Sequence, residues 1–189
     1  LALDGDEGGF EGGTEKEFIA SAYYFYSTTI LAKTCEVLGK IELFEEYTKL
    51  AEEIRKAIIF EYYAESGRLG LKNQTAYILS LFMDIAPEYR ERTANDFAKL
   101  LKKDKNHLKT GFIGTPYICR ALSDNGYNEL AYTLLLNKDL PSWLYAVNMG
   151  ATTVWERWNS VMPDGKMNPA GMNSLNHYAY GAVAEWMYR

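Results

Sequence analysis

Between residues 137 and 176 the sequence sets aromatic rings beside groups able to accept and donate protons. Trp155-Glu156-Arg157-Trp158 puts a carboxylate between two indoles with a guanidinium next to it, and Pro141-Ser142-Trp143-Leu144-Tyr145 adds a third indole. Just beyond comes Asn176-His177-Tyr178. Sugars present apolar C–H faces and polar edges, so a site that binds them needs aromatic platforms next to carboxylates and hydrogen-bonding side chains. In this setting Glu156 fits a general base whose ionised form a nearby cation keeps available. The same residues also fit a solvated Arg-Glu pair beside core tryptophans, the commoner arrangement by composition alone. His177 is equally two-sided, because a lone His in an aromatic run is more often a hydrogen-bonded core residue than a ligand. A connection of this length inside a helical domain points to function in its own right.

Other chemistries find less in the sequence. His107 and His177 lie 70 positions apart without a ligand pattern, so no metal is expected, and no motif for a cofactor is present. Cys35 and Cys119 sit far apart in apolar runs and read as buried free thiols. Net charge is -5, and the 20 basic residues are dispersed along helix-like segments, which argues against a nucleic-acid partner. No run of about eighteen uninterrupted apolar residues suggests a membrane span. Residues 1–14 form a Gly-rich acidic loop whose spacing does not match a helix-loop-helix calcium site. The start, Leu1-Ala2-Leu3-Asp4, reads as cut from a longer chain, and Glu185 to Arg189 are still in helical register.

The elements that must carry these residues are helices. Thr14-Glu15-Lys16-Glu17 has the form of a capping box and predicts a helix from about 15 to 38, apolar on nearly every side and ended by Gly39. The next, about 43 to 63, has a single stripe of Tyr47, Leu50, Ala51, Ile54 and Ile58 among charges. The contrast repeats: 74–85 is apolar all round, whereas 87–103 shows only Tyr89, Thr93, Phe97, Leu100 and Leu101. Thr115-Pro116 predicts a capped helix start, Asn125-Gly126 its end, and 127–136 an amphipathic partner. A last buried helix is expected from about Ser174 onward. Alternating buried and half-exposed helices fit an all-α fold of inner and outer rings, part of an (α/α)6 toroid. Three hairpins and a terminal inner helix make just over half of it; a helical bundle of lower symmetry is the alternative.

Four segments, in order, carry a resemblance to a known family. Thr110-Gly-Phe-Ile-Gly-Thr-Pro-Tyr117, Pro141-Ser-Trp-Leu-Tyr145, Gly150-Ala-Thr-Thr-Val-Trp-Glu-Arg-Trp158 and Ser174-Leu-Asn-His-Tyr-Ala-Tyr-Gly-Ala-Val183 closely resemble the catalytic domains of bacterial α-L-rhamnosidases. Residues 14–28 also look like that family's helix after a Gly-rich loop. The resemblance spans essentially all 189 residues.

It implies a single domain over 1–189, the C-terminal half or more of an (α/α)6-barrel glycosidase domain that releases terminal α-L-rhamnose with inversion. Carried over by motif, Glu156 is the general base and His177 a contact to rhamnose hydroxyls, with Trp155, Trp158 and Trp143 as pocket walls. The family's general acid lies in an upstream Asp-Glu-Arg-Leu-Gly-Trp type of motif that this sequence lacks. The chain alone is therefore expected to be inactive, and its partners to be a rhamnoside and the remaining half of the domain. Apolar faces left open by half a ring predict self-association. A carbohydrate-binding helical module without hydrolysis, or a purely structural helical protein, are the competing readings.

Overall fold

A computed structural model describes residues 12–189, so most of the Gly-rich acidic loop lies outside the described residues. The first hairpin joins α1 (Lys16–Val37) to α2 (Ile41–Tyr62). Gly39 makes the turn at a φ of +67°, while its own N–H bonds to the Glu36 carbonyl and that of Lys40 reaches back to Cys35. These two bonds satisfy carbonyls that the helix end would otherwise leave open. α2 presents Ala51 and Ile58 to the core from its apolar stripe, as expected.

Two expectations about α1 need correction. Burial is confined to one face, formed by Phe18, Ala22, Phe25, Thr28, Ala32 and Cys35, while Tyr24, Ile30 and Leu31 are exposed. Its hairpin partner α2, helped by α3 (Gln74–Phe82), covers one side of the cylinder, and apolar sequence alone does not say how many neighbours there are. The capping box does not form either: Glu15 is the N-cap residue and makes no side-chain cap bond. Thr14 instead donates its hydroxyl to Asn73 Oδ1 at 2.7 Å. The same oxygen accepts the Ala76 N–H, capping α3, so a long-range partner takes Thr14 from its own helix and ties two helix starts together.

Every residue of α3 from Gln74 to Leu81 is buried. It packs on α4 (Arg90–Lys103), whose inward stripe is Thr93, Ala94, Phe97, Ala98 and Leu101. Tyr77 and Phe97 stack across this hairpin, with ring centroids 5.9 Å apart. The third hairpin pairs α5 (Ile118–Ser123) with α6 (Asn128–Leu135), and Gly126 turns between them at a φ of +83°. Thr115, Pro116 and Tyr117 form a 3-10 turn leading into α5, but Thr115 is no side-chain cap. Its buried hydroxyl bonds that of Thr110 at 2.8 Å.

The end of the chain departs most from expectation. In place of a long helix from 174, a 3-10 turn over Ala179–Ala182 leads into a short α8 (Val183–Met187). Residues 174–177 use their backbone groups across space: the Ser174 carbonyl accepts the Glu156 N–H at 2.9 Å, and the His177 N–H donates to the Val154 carbonyl at 2.8 Å. Groups so committed cannot make helix bonds. The connection 137–176 is likewise not all loop, since it contains α7 (Trp143–Asn148). α7 is started by Ser142, a fully buried cap that accepts the Tyr145 N–H at 3.0 Å. The architecture is all-helical, with three successive hairpins and no strand among the described residues. None of the described helices is long and apolar enough to cross a membrane.

Candidate functional site

The pairing of 153–156 with 174–177 sets the geometry of the site. Besides the two backbone bonds above, the Thr153 hydroxyl donates to the Leu175 carbonyl. The Ser174 N–H closes the ladder by donating to Glu156 Oε2 at 3.0 Å. Glu156 is half-buried, with one carboxylate oxygen held by the backbone opposite and the other accepting no hydrogen bond among the described residues. Arg157 does not pair with it. The guanidinium turns to the Gly171 carbonyl at 3.1 Å, so the solvated Arg-Glu pair that composition favours is not formed.

Aromatic rings hold this ladder from behind. Trp158 lies flat on Tyr180, centroids 4.0 Å apart and 5° from parallel, and meets Trp143 edge-on at 5.4 Å. The Trp143 indole N–H donates to the Tyr180 carbonyl at 2.8 Å. Burial pushes the Tyr180 phenol far above its ordinary range; the Arg157 charge pulls the other way and that of Glu156 adds to the rise. The phenol therefore stays neutral. Trp143, Trp155 and Trp158 line one cavity of about 270 Å³, together with Val147 and Arg157.

His177 faces elsewhere. Its ring is stacked between Phe112, at 4.8 Å, and Tyr178, at 5.4 Å. Nδ1 accepts the Ala179 N–H at 3.3 Å. This ring lines a second cleft of about 560 Å³ with Tyr23, Tyr117 and Arg120. The structure thus joins Glu156 and His177 through one ladder but gives the three tryptophans and His177 different cavities, and Glu156 lines neither.

Phe112, Ser174 and Tyr180 carry this arrangement although sequence reasoning did not single them out. A signal existed for Phe112, which sits between two glycines and two threonines in 110–115. A Cβ on Gly114 would meet Thr75 Oγ1 at 2.9 Å and Thr110 Cγ2 at 3.0 Å, so only glycine lets the loop close onto α3. Further support comes from Gln74, whose amide donates to Asp104 and the His107 carbonyl and accepts the Lys109 N–H, each at 2.9 Å. No cluster of three or more His, Cys, Asp or Glu fit to hold a metal occurs among the described residues.

A model of the bacterial alpha-L-rhamnosidase 6 hairpin glycosidase domain matches residues 2–189. The chain belongs to this family. Curated alpha-L-rhamnosidases are similar along most of it: one from Formosa agariphila is 41% identical over 97% of the chain, and one from Streptomyces avermitilis 43% over 93%. The chain spans only 20% and 17% of those two proteins' lengths. Among solved structures, the Streptomyces avermitilis alpha-L-rhamnosidase complexed with L-rhamnose superposes with a TM-score of 0.88 at 42% identity, covering 93% of this chain and 17% of that one. The Aspergillus terreus alpha-L-rhamnosidase gives 0.93 at 33% identity, over 99% of this chain and 22% of its own. In this rhamnosidase-family chain the four sequence blocks have distinct structural tasks. Residues 110–117 place Phe112, 141–145 start α7 at Trp143, and 153–156 pair with 174–177.

Proposed function

We propose that the chain supplies the general-base side of a glycoside hydrolase that releases terminal α-L-rhamnose with inversion. Glu156 activates the water, His177 contacts the sugar hydroxyls, and Trp143, Trp155 and Trp158 are walls of the surrounding pocket. The observation that carries this reading is the ladder that fixes Glu156, one carboxylate oxygen held and one open, on the segment paired with His177. A base needs that combination: an oriented carboxylate with a lone pair free for water. The L-rhamnose complex of the similar Streptomyces protein supports a terminal rhamnosyl unit as substrate.

Inversion requires a second carboxylic acid roughly 6.5–9.5 Å from the base, so that water fits between base and sugar. In this reading the acid comes from the part of the relatives' length that this chain does not match, and the 189-residue chain alone turns nothing over. Rhamnoside and the rest of the catalytic domain are its partners.

The test is hydrolysis of an aryl α-L-rhamnoside by the full-length protein, its Glu156→Gln variant and the isolated chain, with the product anomer followed by NMR. The variant is expected to lose roughly 10²- to 10⁴-fold in kcat, the isolated chain to be inert, and the first-formed sugar to be the inverted anomer. Turnover by the isolated chain sinks the two-carboxylate reading. A full-length protein that binds rhamnose without hydrolysing it establishes the binding module instead.

A further inference from the structure

We infer that Tyr180 is a positioning residue for Glu156, acting through the Trp158 ring and not through its own hydroxyl. The inference rests on Glu156 being the general base. Tyr180 is 2% exposed, and its ring is held on one side by Trp158 at 4.0 Å and on another by Phe112 at 5.5 Å. Trp158 follows Glu156 by two residues, and Phe112 is the ring behind His177. One side chain therefore touches both the aromatic ring beside the base and the one beneath the histidine.

The need for such an anchor comes from the ladder itself. Glu156 is only half-buried, and Thr153, Ser174 and Leu175 are exposed, so water competes for the bonds that set the register. Close packing next to Tyr180 reinforces the hold. A Cβ on Gly181 would stand 3.2 Å from Val154 Cγ2, so the backbone at 181 lies directly on the segment leading to Glu156. The Tyr180 hydroxyl, by contrast, is buried and bonds to no protein group among the described residues. The flat ring contact and the backbone carbonyl, which accepts from Trp143, do the holding.

The experiment uses the full-length protein with Tyr180→Met, a ring-free side chain that adapts to the same space, Tyr180→Leu, Tyr180→Phe and Glu156→Gln. For the Met and Leu variants kcat is expected to fall roughly tenfold to hundredfold, as for a catalytic group misplaced by about an ångström. KM, which the Trp158 pocket wall can raise, should change by less than kcat falls, and Tyr180→Phe should restore kcat to within about threefold of wild type. Folded Met or Leu variants with near-native kcat overturn the inference. So does a Phe variant as impaired as the Met variant, because the hydroxyl then carries the role. Loss of folding in both ring-free variants assigns Tyr180 to stability alone and overturns it too. If Glu156→Gln keeps full activity, the general-base reading fails first; if Glu156→Gln is dead and Tyr180→Met is not, only the present inference fails.

Discussion

The imidazole of His177 lies on the ring of Phe112, centroids 4.8 Å apart and 15° from parallel. Phe112 reaches that place because residues 110–115 fold into a tight loop closed by the Thr110–Thr115 hydroxyl bond. Gly114 is the point of closest approach to α3. Gly114→Ala is therefore expected to destabilise the fold by about 1–3 kcal/mol through overpacking. Chemical denaturation of the full-length protein reads the change, and a loss under about 0.5 kcal/mol, the range of a neutral surface substitution, would show that the loop gives way freely.

The stack also separates what His177 does for structure from what it does for substrate. His177→Phe keeps a planar ring between Phe112 and Tyr178 and removes the polar edge. Stability should stay within about 1 kcal/mol, because the lost Nδ1 contact to Ala179 is long and only partly buried. KM for a rhamnoside should rise roughly tenfold as hydrogen bonds to the sugar are lost. An unchanged KM would remove His177 from the binding site.

How much of this was legible beforehand depended on whether the deciding partner was near in sequence. α3 and α4 follow from their own residues, since a chargeless, largely apolar run and a charged helix with one stripe have different burial whatever surrounds them. Gly39 stopped α1 as expected because a left-handed turn is a local matter. Thr14 and Thr115 do not cap their own helices: the Thr14 hydroxyl goes to Asn73, far along the chain, while that of Thr115 pairs with Thr110 across the tight loop just before it. In place of the helix expected from Ser174 stands a ladder with residues 153–156, well upstream, which no periodicity reveals. Glu156 and His177 came from motif resemblance, whereas Tyr180 differs from its aromatic neighbours only in what it touches.

Cys119 offers a test of the core between α5 and α6. Burial pushes its thiol up to about 12 from an ordinary 9.0, and Tyr63 is likewise pushed up to about 12 from 10.0 by burial. Both groups are held neutral in the folded state and ionise earlier when unfolded. Their contribution to stability is thus complete below pH 9 and is lost as pH rises towards 12. At pH 8, a little below that window, Cys119 should resist a thiol reagent until the protein is denatured. Rapid labelling of native protein at that pH would mean that the α5–α6 core opens readily.

The exposed side of α1 carries the last expectation. Tyr24, Leu31 and Leu38 recur at seven-residue spacing and form one stripe, with Ile30 and Val37 forming a second beside it. All five are exposed, Val37 by 86%. Soluble monomers seldom leave contiguous apolar patches much beyond a few hundred Å² open to water, and these stripes leave five large apolar side chains of α1 and its C-cap in solvent. The 189-residue chain alone is therefore expected to self-associate, with light scattering reporting a dimer or larger species. Replacing Leu31 by Glu places a charge at the centre of the longer stripe and should shift the population towards monomer, because burying that charge between copies is costly. The same replacement in the full-length protein should destabilise the fold if this face is covered there by the rest of the domain. A monomeric wild-type chain at the concentrations used for structural work would mean that the stripes are too narrow to drive association.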